Sequence, residues 1–450
     1  MTPINAPTKT SITRRFLRPT FIIIALALGC CALLPKAQAV VPPPDSGYPG
    51  FNRAAGPQAP QSLSDDKHTA PIPQGQSYVV TDLGILGGSL GSSADAINSS
   101  GQVVGRSYTP GDAAIHATLF SGTGSNNIDL GNLSDPPDNR QSEAYGINDS
   151  GGIIGMAAPV GNPFRATLFS GTGSGNIDLG TLNNSSGGSA AYAINNGGQI
   201  VGIADTAVGS GHATLFSGTG SNNIDLGTLG GVDSVAYAVN NSGQIVGQAD
   251  SDQLNQRATL FGDPNFDLGT LGGLRGSAYG INDAGQIVGS SDLPGGSEIH
   301  ATLFSGTGSN NVDLGTLGGE NSHAYAINSS GEIVGNSQFM IGNFAYHAFI
   351  YLNGTMSDLN DLVLPGSGVS NIRLEDNGGR VPGRCVNDAG QIAAIGDVLS
   401  VTHAILLTPA GAGTPTPTPT ATPTPTPTPT PCTGRCTPTP RPRPTPRPRP

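Results

Sequence analysis

Between residues 78 and 409 apolar positions recur in short alternating runs separated by glycine-bearing turns, and the runs themselves repeat. Two of the clearest copies read NNIDLGTLGGVDSVAYAVNNSGQIVG (222–247) and NNVDLGTLGGENSHAYAINSSGEIVG (310–335), with segments such as HATLFSGTGS around them. Self-similarity at a fixed period is the mark of a repeat architecture. An Asp-Leu element stands at Asp82, Asp129, Asp178, Asp225, Asp267, Asp313 and Asp358. An Ile/Val-Asn element stands at Asn98, Asn148, Asn195, Asn240, Asn282, Asn328 and Asn387. A His/Arg-Ala element stands at His116, Arg165, His212, Arg257, His300, His347 and His403. Each set has seven members spaced mostly 42 to 50 residues apart, close to the ~40–50 residues of a propeller blade.

Each unit reads as four strands. Ala-Tyr-Ala-Ile-Asn alternates as a first strand, and Asn-x-x-Gly then makes a tight turn whose fourth position wants a positive φ. Gln-Ile-Val-Gly is the second strand and His-Ala-Thr-Leu-Phe the third. Ser-Gly-Thr-Gly makes another hairpin, and Asn-Ile-Asp-Leu-Gly is the fourth strand. The spacing predicts an all-β, seven-bladed propeller of four-stranded antiparallel blades. The repeat region opens on a fourth strand alone (78–84) and closes on first, second and third strands alone (384–408). A ring in which the N-terminal strand completes the last blade hides the sheet edges at the join.

On the first strand Tyr145, Tyr192, Tyr237, Tyr279 and Tyr325 alternate with Ala or Gly. Simple alternation puts each Tyr on one face with the Ile or Val two positions on, so a bulky face seats on a neighbour's small one. The same position holds Asp95 and Arg384 in the units flanking the join, and these two are predicted to pair or approach across the closure. Within each unit the His or Arg of the third strand and the Asp of the fourth are predicted to hydrogen-bond as a buried structural pair. Seven equivalent positions describe a scaffold, since an active site is singular.

With these segments in view, the units resemble HAF repeats, a family of bacterial repeats with an extracellular assignment. His347-Ala348-Phe349 is a literal match to the signature, and most other copies read His-Ala-Thr or Arg-Ala-Thr. The D-L-G-T-L-G-G and A-x-x-I-N-x-x-G-Q-I-V-G segments and the terminal His403-Ala404-Ile405-Leu406-Leu407-Thr408-Pro409 also fit, so the resemblance spans roughly 78–409. It implies export and a repeat fold, and supplies no activity or binding residues to carry over.

The flanks agree with export. Arg14, Arg15 and Arg18 precede an apolar run from Phe21 to Leu34 and an Ala37-Gln38-Ala39 cleavage site, so 1–39 reads as a signal peptide. The run is short for a membrane span. Residues 40–77 read as a Pro-containing linker, and 411–450 as a disordered Thr-Pro/Arg-Pro tail favouring extended polyproline II. After cleavage three cysteines remain, Cys385, Cys432 and Cys436, too few for a disulfide framework.

Charge is uneven. Residues 78–409 hold 28 Asp/Glu against 8 Arg and no Lys, a balance that argues against nucleic acid as partner of the folded body. The tail carries Arg435, Arg441, Arg443, Arg447 and Arg449 and no acid. It could contact anionic envelope polymers, fold back on the acidic body, or serve as a solvated spacer.

No catalytic motif rises above the repeats, and neither cofactor nor metal is expected. Asn-Asp-x-Gly at 148–151, 282–285 and 387–390 lacks the dense carboxylates of a calcium loop and reads as turn chemistry. Cys385 fills a slot held elsewhere by Ala or Gly and reads as a small buried side chain. The least repetitive stretch, 361–384, carries Arg373, Glu375, Asp376 and Arg380 as candidate binding residues. The leading expectation is a secreted, non-enzymatic module binding a glycan or protein at the cell surface or envelope. The alternatives are an envelope glycan hydrolase or lyase with carboxylates at the channel, and a purely structural surface module.

Overall fold

The structure is a computed structural model; it describes residues 76–411 except 123–125, 135–138, 162, 172–174, 183–185, 219–221, 343–344 and 375–382. Residues 1–75, expected from sequence to be a signal peptide and most of a linker, and the tail beyond 411 therefore lie outside the described residues.

Seven four-stranded antiparallel sheets form a β-propeller. Blades 1 to 6 span 92–129, 142–178, 189–225, 230–267, 276–313 and 322–358. Blade 7 combines Val369–Arg373, Ile392–Val398 and Val401–Pro409 with the N-terminal strand Tyr78–Asp82, which pairs antiparallel to Val401–Pro409 from Tyr78↔Pro409 to Asp82↔Ile405. The ring is thus closed by strand addition, which removes two sheet edges at once. His403 Nδ1 meets the Asp82 carboxylate at 2.9 Å. Ser92 Oγ accepts the Ala404 N–H and donates to Gly84 O across the same join.

The turn after each innermost strand follows from its sequence. Asn195 O accepts the Gly198 N–H at 3.0 Å, and Gly198 sits at φ 79°, a conformation open to glycine and strained for most other residues. Its counterparts from Gly101 to Gly390 share that sign. The Asn side chain has a second task. Nδ2 of Asn98 donates to the backbone carbonyl of Asn148 in the next blade, Asn148 to Asn195, then on to Asn240, Asn282, Asn328 and Asn387, at 2.9–3.2 Å. Asn387 returns to Asn98 O at 3.1 Å. The result is a closed, one-directional circuit around the axis.

Apolar packing lies between the blades, with one buried cluster at each of the seven interfaces. At the interface of blades 1 and 2, Ala96, Val104, Ala117 and Leu130 meet Ala144, Ile147, Ile153, Ala157 and Phe169. Small side chains on one face receive larger ones from the next, as close packing demands.

The tyrosines depart from the expected alternation. Each first-to-second strand ladder in blades 1 to 6 has a β-bulge at that position, as between Ala191 and Ala193 around Tyr192. An extra residue re-aims its side chain, and the tyrosines turn toward the axis and pack on one another. The bulge also explains the glycine in Gln-Ile-Val-Gly. A Cβ on Gly247 would lie 1.9 Å from Val235 O, and Gly105, Gly155, Gly202, Gly289 and Gly335 are pinched in the same way at 1.9–2.0 Å.

Blade 7 also differs from its expected layout. Its innermost strand does not begin at Arg384; it starts as Val369–Arg373, and Val386 bridges to Ile392 after an interruption. The break falls where the other blades bulge: Arg373 pairs Ile395, and Cys385 O accepts the Ala393 N–H. The residue aligned with the pinched glycines is Ala394, fully buried.

Candidate functional site

The channel axis opens at the face carrying the Asn turns into a cavity partly open to solvent. Tyr192, Tyr237, Tyr279 and Tyr325 line its wall, Asn196, Asn241, Asp283, Ser329 and Asp388 its rim, and Gly383 and Arg384 one remaining sector. The five tyrosines form an arc with consecutive ring centroids 5.4–5.9 Å apart, tilted or edge-on, the geometry aromatic quadrupoles favour. Burial, and then neighbouring Tyr279 and Tyr192, push the Tyr237 phenol well above its ordinary value.

Sevenfold repetition breaks in the sector of blades 7, 1 and 2. At Gly383 a Cβ would lie 2.1 Å from Tyr145 O and 3.2 Å from Ala96 Cβ. Only glycine fits so close to another backbone. Arg384 O accepts the Ile97 N–H at 2.9 Å, and its guanidinium stands 3.6 Å from the Asp388 carboxylate. Asp95 is buried, with Glu143 receiving Arg106 Nη1 and the Tyr145 hydroxyl at 2.9 Å in the adjacent blade.

The rim is a second tier of blade-to-blade hydrogen bonds. Ser99 N–H donates to Asp149, Asp149 N–H to Asn196, Asn196 N–H to Asn241, Asn241 N–H to Asp283, and Ser329 N–H to Asp388, at 2.9–3.0 Å. Burial alone would raise Asp149, but hydrogen bonds from Ser99 and Asn196 and the Arg384 charge hold it below the usual carboxylate range. Burial also opposes ionisation of Asp388, and the Ser329 hydroxyl and N–H with Arg384 overcome it. These rim carboxylates are anionic acceptors with lone pairs left for a ligand.

The candidate residues named from sequence lie in several places. Arg373 reaches Asp397 at 3.4 Å and Thr402 at 3.3 Å in its own blade and does not line the cavity. Glu375, Asp376 and Arg380 lie outside the described residues. The His/Arg–Asp pairs sit on the outer strands: His116–Asp129, His212–Asp225, Arg257–Asp267, His300–Asp313, His347–Asp358 and His403–Asp82 meet at 2.6–2.9 Å. His116 is buried, while the other five pairs are partly exposed. In blade 2 the Asp178 carboxylate takes the Gly180 N–H at 2.7 Å, and Arg165 Nε has no hydrogen-bond partner among the described residues.

Cys385 is fully buried, and burial pushes its thiol up to about 12, a chemically quiet sulfur. Among the described residues no group of three or more His, Cys, Asp or Glu is gathered as metal ligands would be, and no helix is long and apolar enough to cross a membrane.

Sequence reasoning did not foresee the tyrosine wall or the rim of Asn and Asp. Both were written in the repeats as an odd residue at a bulge and the residue after the turn Asn. The departures at 375–384 and Ala394 marked where the symmetry fails.

No family model matches the chain, and no curated protein does. Among solved structures it is similar to a protein from a structural-genomics consortium, provisionally named a gluconolactonase, at 10% identity and a TM-score of 0.30, over 74% of this chain and 92% of that one. It is also similar to the Trypanosoma rangeli sialidase in complex with the inhibitor DANA, at 10% identity and a TM-score of 0.33, over 75% and 56%. Likeness of this degree says nothing about the ligand.

Proposed function

We propose that the protein is an exported, non-enzymatic binding module whose ligand site is the tyrosine-walled channel mouth, and that the ligand is a glycan. One observation carries the reading: Gly383 and Arg384 enter the cavity where the repeated lining of blades 2 to 6 ends, so the pocket has one non-repeated sector. Rigid aromatic walls with a few polar groups at the rim are the usual make-up of a small-ligand site. Tyr192, Tyr237 and Tyr279 are partly exposed, and such rings pair a large apolar body with a polar hydroxyl. Asn196, Asn241, Asp283, Asp388 and Arg384 supply acceptors and donors suited to hydroxyl groups. Glycosidic cleavage would need an acid with a raised pKa beside an ionised carboxylate, and the Asp388 and Asp149 carboxyls are both held low. The His-Ala-Phe resemblance supports the export half of the proposal.

A glycan array and a turnover screen on the full chain test it. Saturable binding that falls at least tenfold in Arg384→Gln, with an unchanged melting temperature, is expected. Product release from any bound glycan, or binding indifferent to Arg384, would overturn the reading.

A further inference from the structure

We infer that the resident occupant of the channel mouth is the chain's own C-terminal Arg-Pro segment, residues 435–450, which competes with external ligands. The inference rests on reading the mouth as a binding site and names what fills it when no external ligand is present.

The exit point of the chain supplies the first argument. Ala410 N–H donates to Ser77 O at 2.7 Å at the end of the closing strand pair. A Cβ on Gly390 would lie 3.2 Å from Pro409 Cγ and 3.3 Å from a Glu332 carboxylate oxygen. Gly390 ends the turn that begins at Asn387 and contains Asp388, and Asp388 lines the cavity. The chain therefore departs beside the mouth, on the same face. From residue 411 to Arg435 runs a Thr-Pro-rich stretch of 24 residues. At about 3.1 Å per residue in an extended form, it spans several times the ~20 Å width of a four-stranded blade. Reach places no limit on return to the axis.

Chemical fit supplies the second. The tail presents RPRPTPRPRP with no acid. Proline-rich extended segments dock in aromatic-lined grooves because their backbone is already ordered and their rings lie flat on aromatic side chains. Tyr192, Tyr237, Tyr279 and Tyr325 form such a wall. Arginines match carboxylates with paired donors, and Asp149, Asp283, Asp388 and Glu332 stand at or beside the rim. The body from 78 to 409 carries a balance of −20, while the tail carries +5. Tethering lifts the effective concentration of a linked segment to the order of 1 mM. A mouth with only about millimolar affinity for the free segment would then be occupied roughly half the time.

Hydrogen exchange on the full chain is the test, reading the turn amides at 196–198, 241–243 and 283–285. Wild type is compared with a full-length variant in which Arg435, Arg441, Arg443, Arg447 and Arg449 are all Gln. At low salt these amides are expected to exchange about twofold more slowly in wild type, as half occupancy implies, and the difference should vanish at 0.5 M salt, where charges are screened within a few ångströms. A synthetic peptide TPTPRPRPTPRPRP, residues 437–450, should restore protection to the variant saturably. Adding Asp283→Asn and Asp388→Asn should weaken that peptide at least tenfold with an unchanged melting temperature. The substitution is safe for the fold because blades 3 and 4 carry Asn196 and Asn241 at that position.

Equal exchange in the two chains, or a peptide without effect, would overturn the inference. So would protection that grows with protein concentration, which would assign the occupant to a second copy. A glycan that binds both chains equally also sinks it while leaving the proposed function standing. Tail-dependent protection with no glycan bound on any array upholds it while removing the glycan reading.

Discussion

The pinched glycine of the second strand offers the most direct test of how the tyrosine wall is built. In Gly247→Ala the new methyl would sit 1.9 Å from Val235 O, 2.9 Å from Val235 C and 3.0 Å from Ala236 Cα. All three are backbone atoms, so no side-chain rotation relieves them. Carbon and oxygen need well over 3 Å, so the innermost strand must move by more than 1 Å and the bulge holding Tyr237 must deform. Overpacking of this kind costs about 1–3 kcal/mol, and the upper end applies to a backbone clash. Losing glycine's freedom in the unfolded chain returns about 0.4–1 kcal/mol. The net loss is about 2 kcal/mol. At about 2.1 cal/mol/K per residue, a folded body of some 330 residues should melt about 3 °C lower. The chain has no Trp, so its near-ultraviolet circular dichroism reports largely on tyrosine. That signal should weaken as the Tyr192, Tyr237 and Tyr279 contacts loosen. Ala394 is the built-in control, since the equivalent methyl is already accommodated beside the interrupted ladder of blade 7. An unchanged or raised melting temperature in Gly247→Ala, with an intact tyrosine signal, would refute the reasoning.

Four further outcomes follow. Asn387→Ala removes donors to Asn98 O and Gln391 Oε1 and acceptors for the Ala389 and Gln391 N–H groups; leaving buried partners unsatisfied should cost about 3 kcal/mol, read from the urea midpoint. His300→Arg should change stability by less than about 0.5 kcal/mol, because Arg257 already plays this part with Asp267, whereas His300→Ala should cost about 1 kcal/mol; equal losses would defeat the pairing argument. For Asp129 and Asp313, burial raises the carboxyl, but the bonds from His116 or His300 and from the following glycine N–H more than offset it, so both lie below the usual range. A carboxylate lowered on folding gives stability that is complete above about pH 3.9 and disappears as pH falls through its folded value; Asp313→Asn should therefore flatten the acid limb of the melting-temperature profile. Finally, Cys385 should resist a maleimide in the native chain and react on unfolding, in keeping with its buried thiol.

The architecture was legible because its signals were local and repeated seven times. The Asn-x-x-Gly turns, the Gln-Ile-Val-Gly strands and the split first and last units each read correctly in isolation. The tyrosines did not, since alternation presumes a period of two and a bulge resets it. The clue was in plain sight as a glycine that no turn required, and it pointed to a backbone pressed against its neighbour. The start of blade 7 at Val369 was hidden for a related reason: an interruption within one strand separates residues that the ladder rejoins, and sequence shows only the gap. The rim carboxylates were read as turn formers, which they are. That they also face an axial cavity depends on the closure of all seven blades, which no single unit encodes.

The first and last strands of the ring, Tyr78–Asp82 and Val401–Pro409, are neighbours inside one blade, at a hairpin position that in the other blades is bridged by covalent chain. The asparagine circuit runs through that blade as through the other six. The ring accordingly has no privileged starting point: joining the present ends through a short linker and opening the chain between the third and fourth strands of another blade leaves every sheet, interface and circuit member in place. Such a rearranged gene should encode the same toroid, with the tail relocated to whichever sector the engineer chooses.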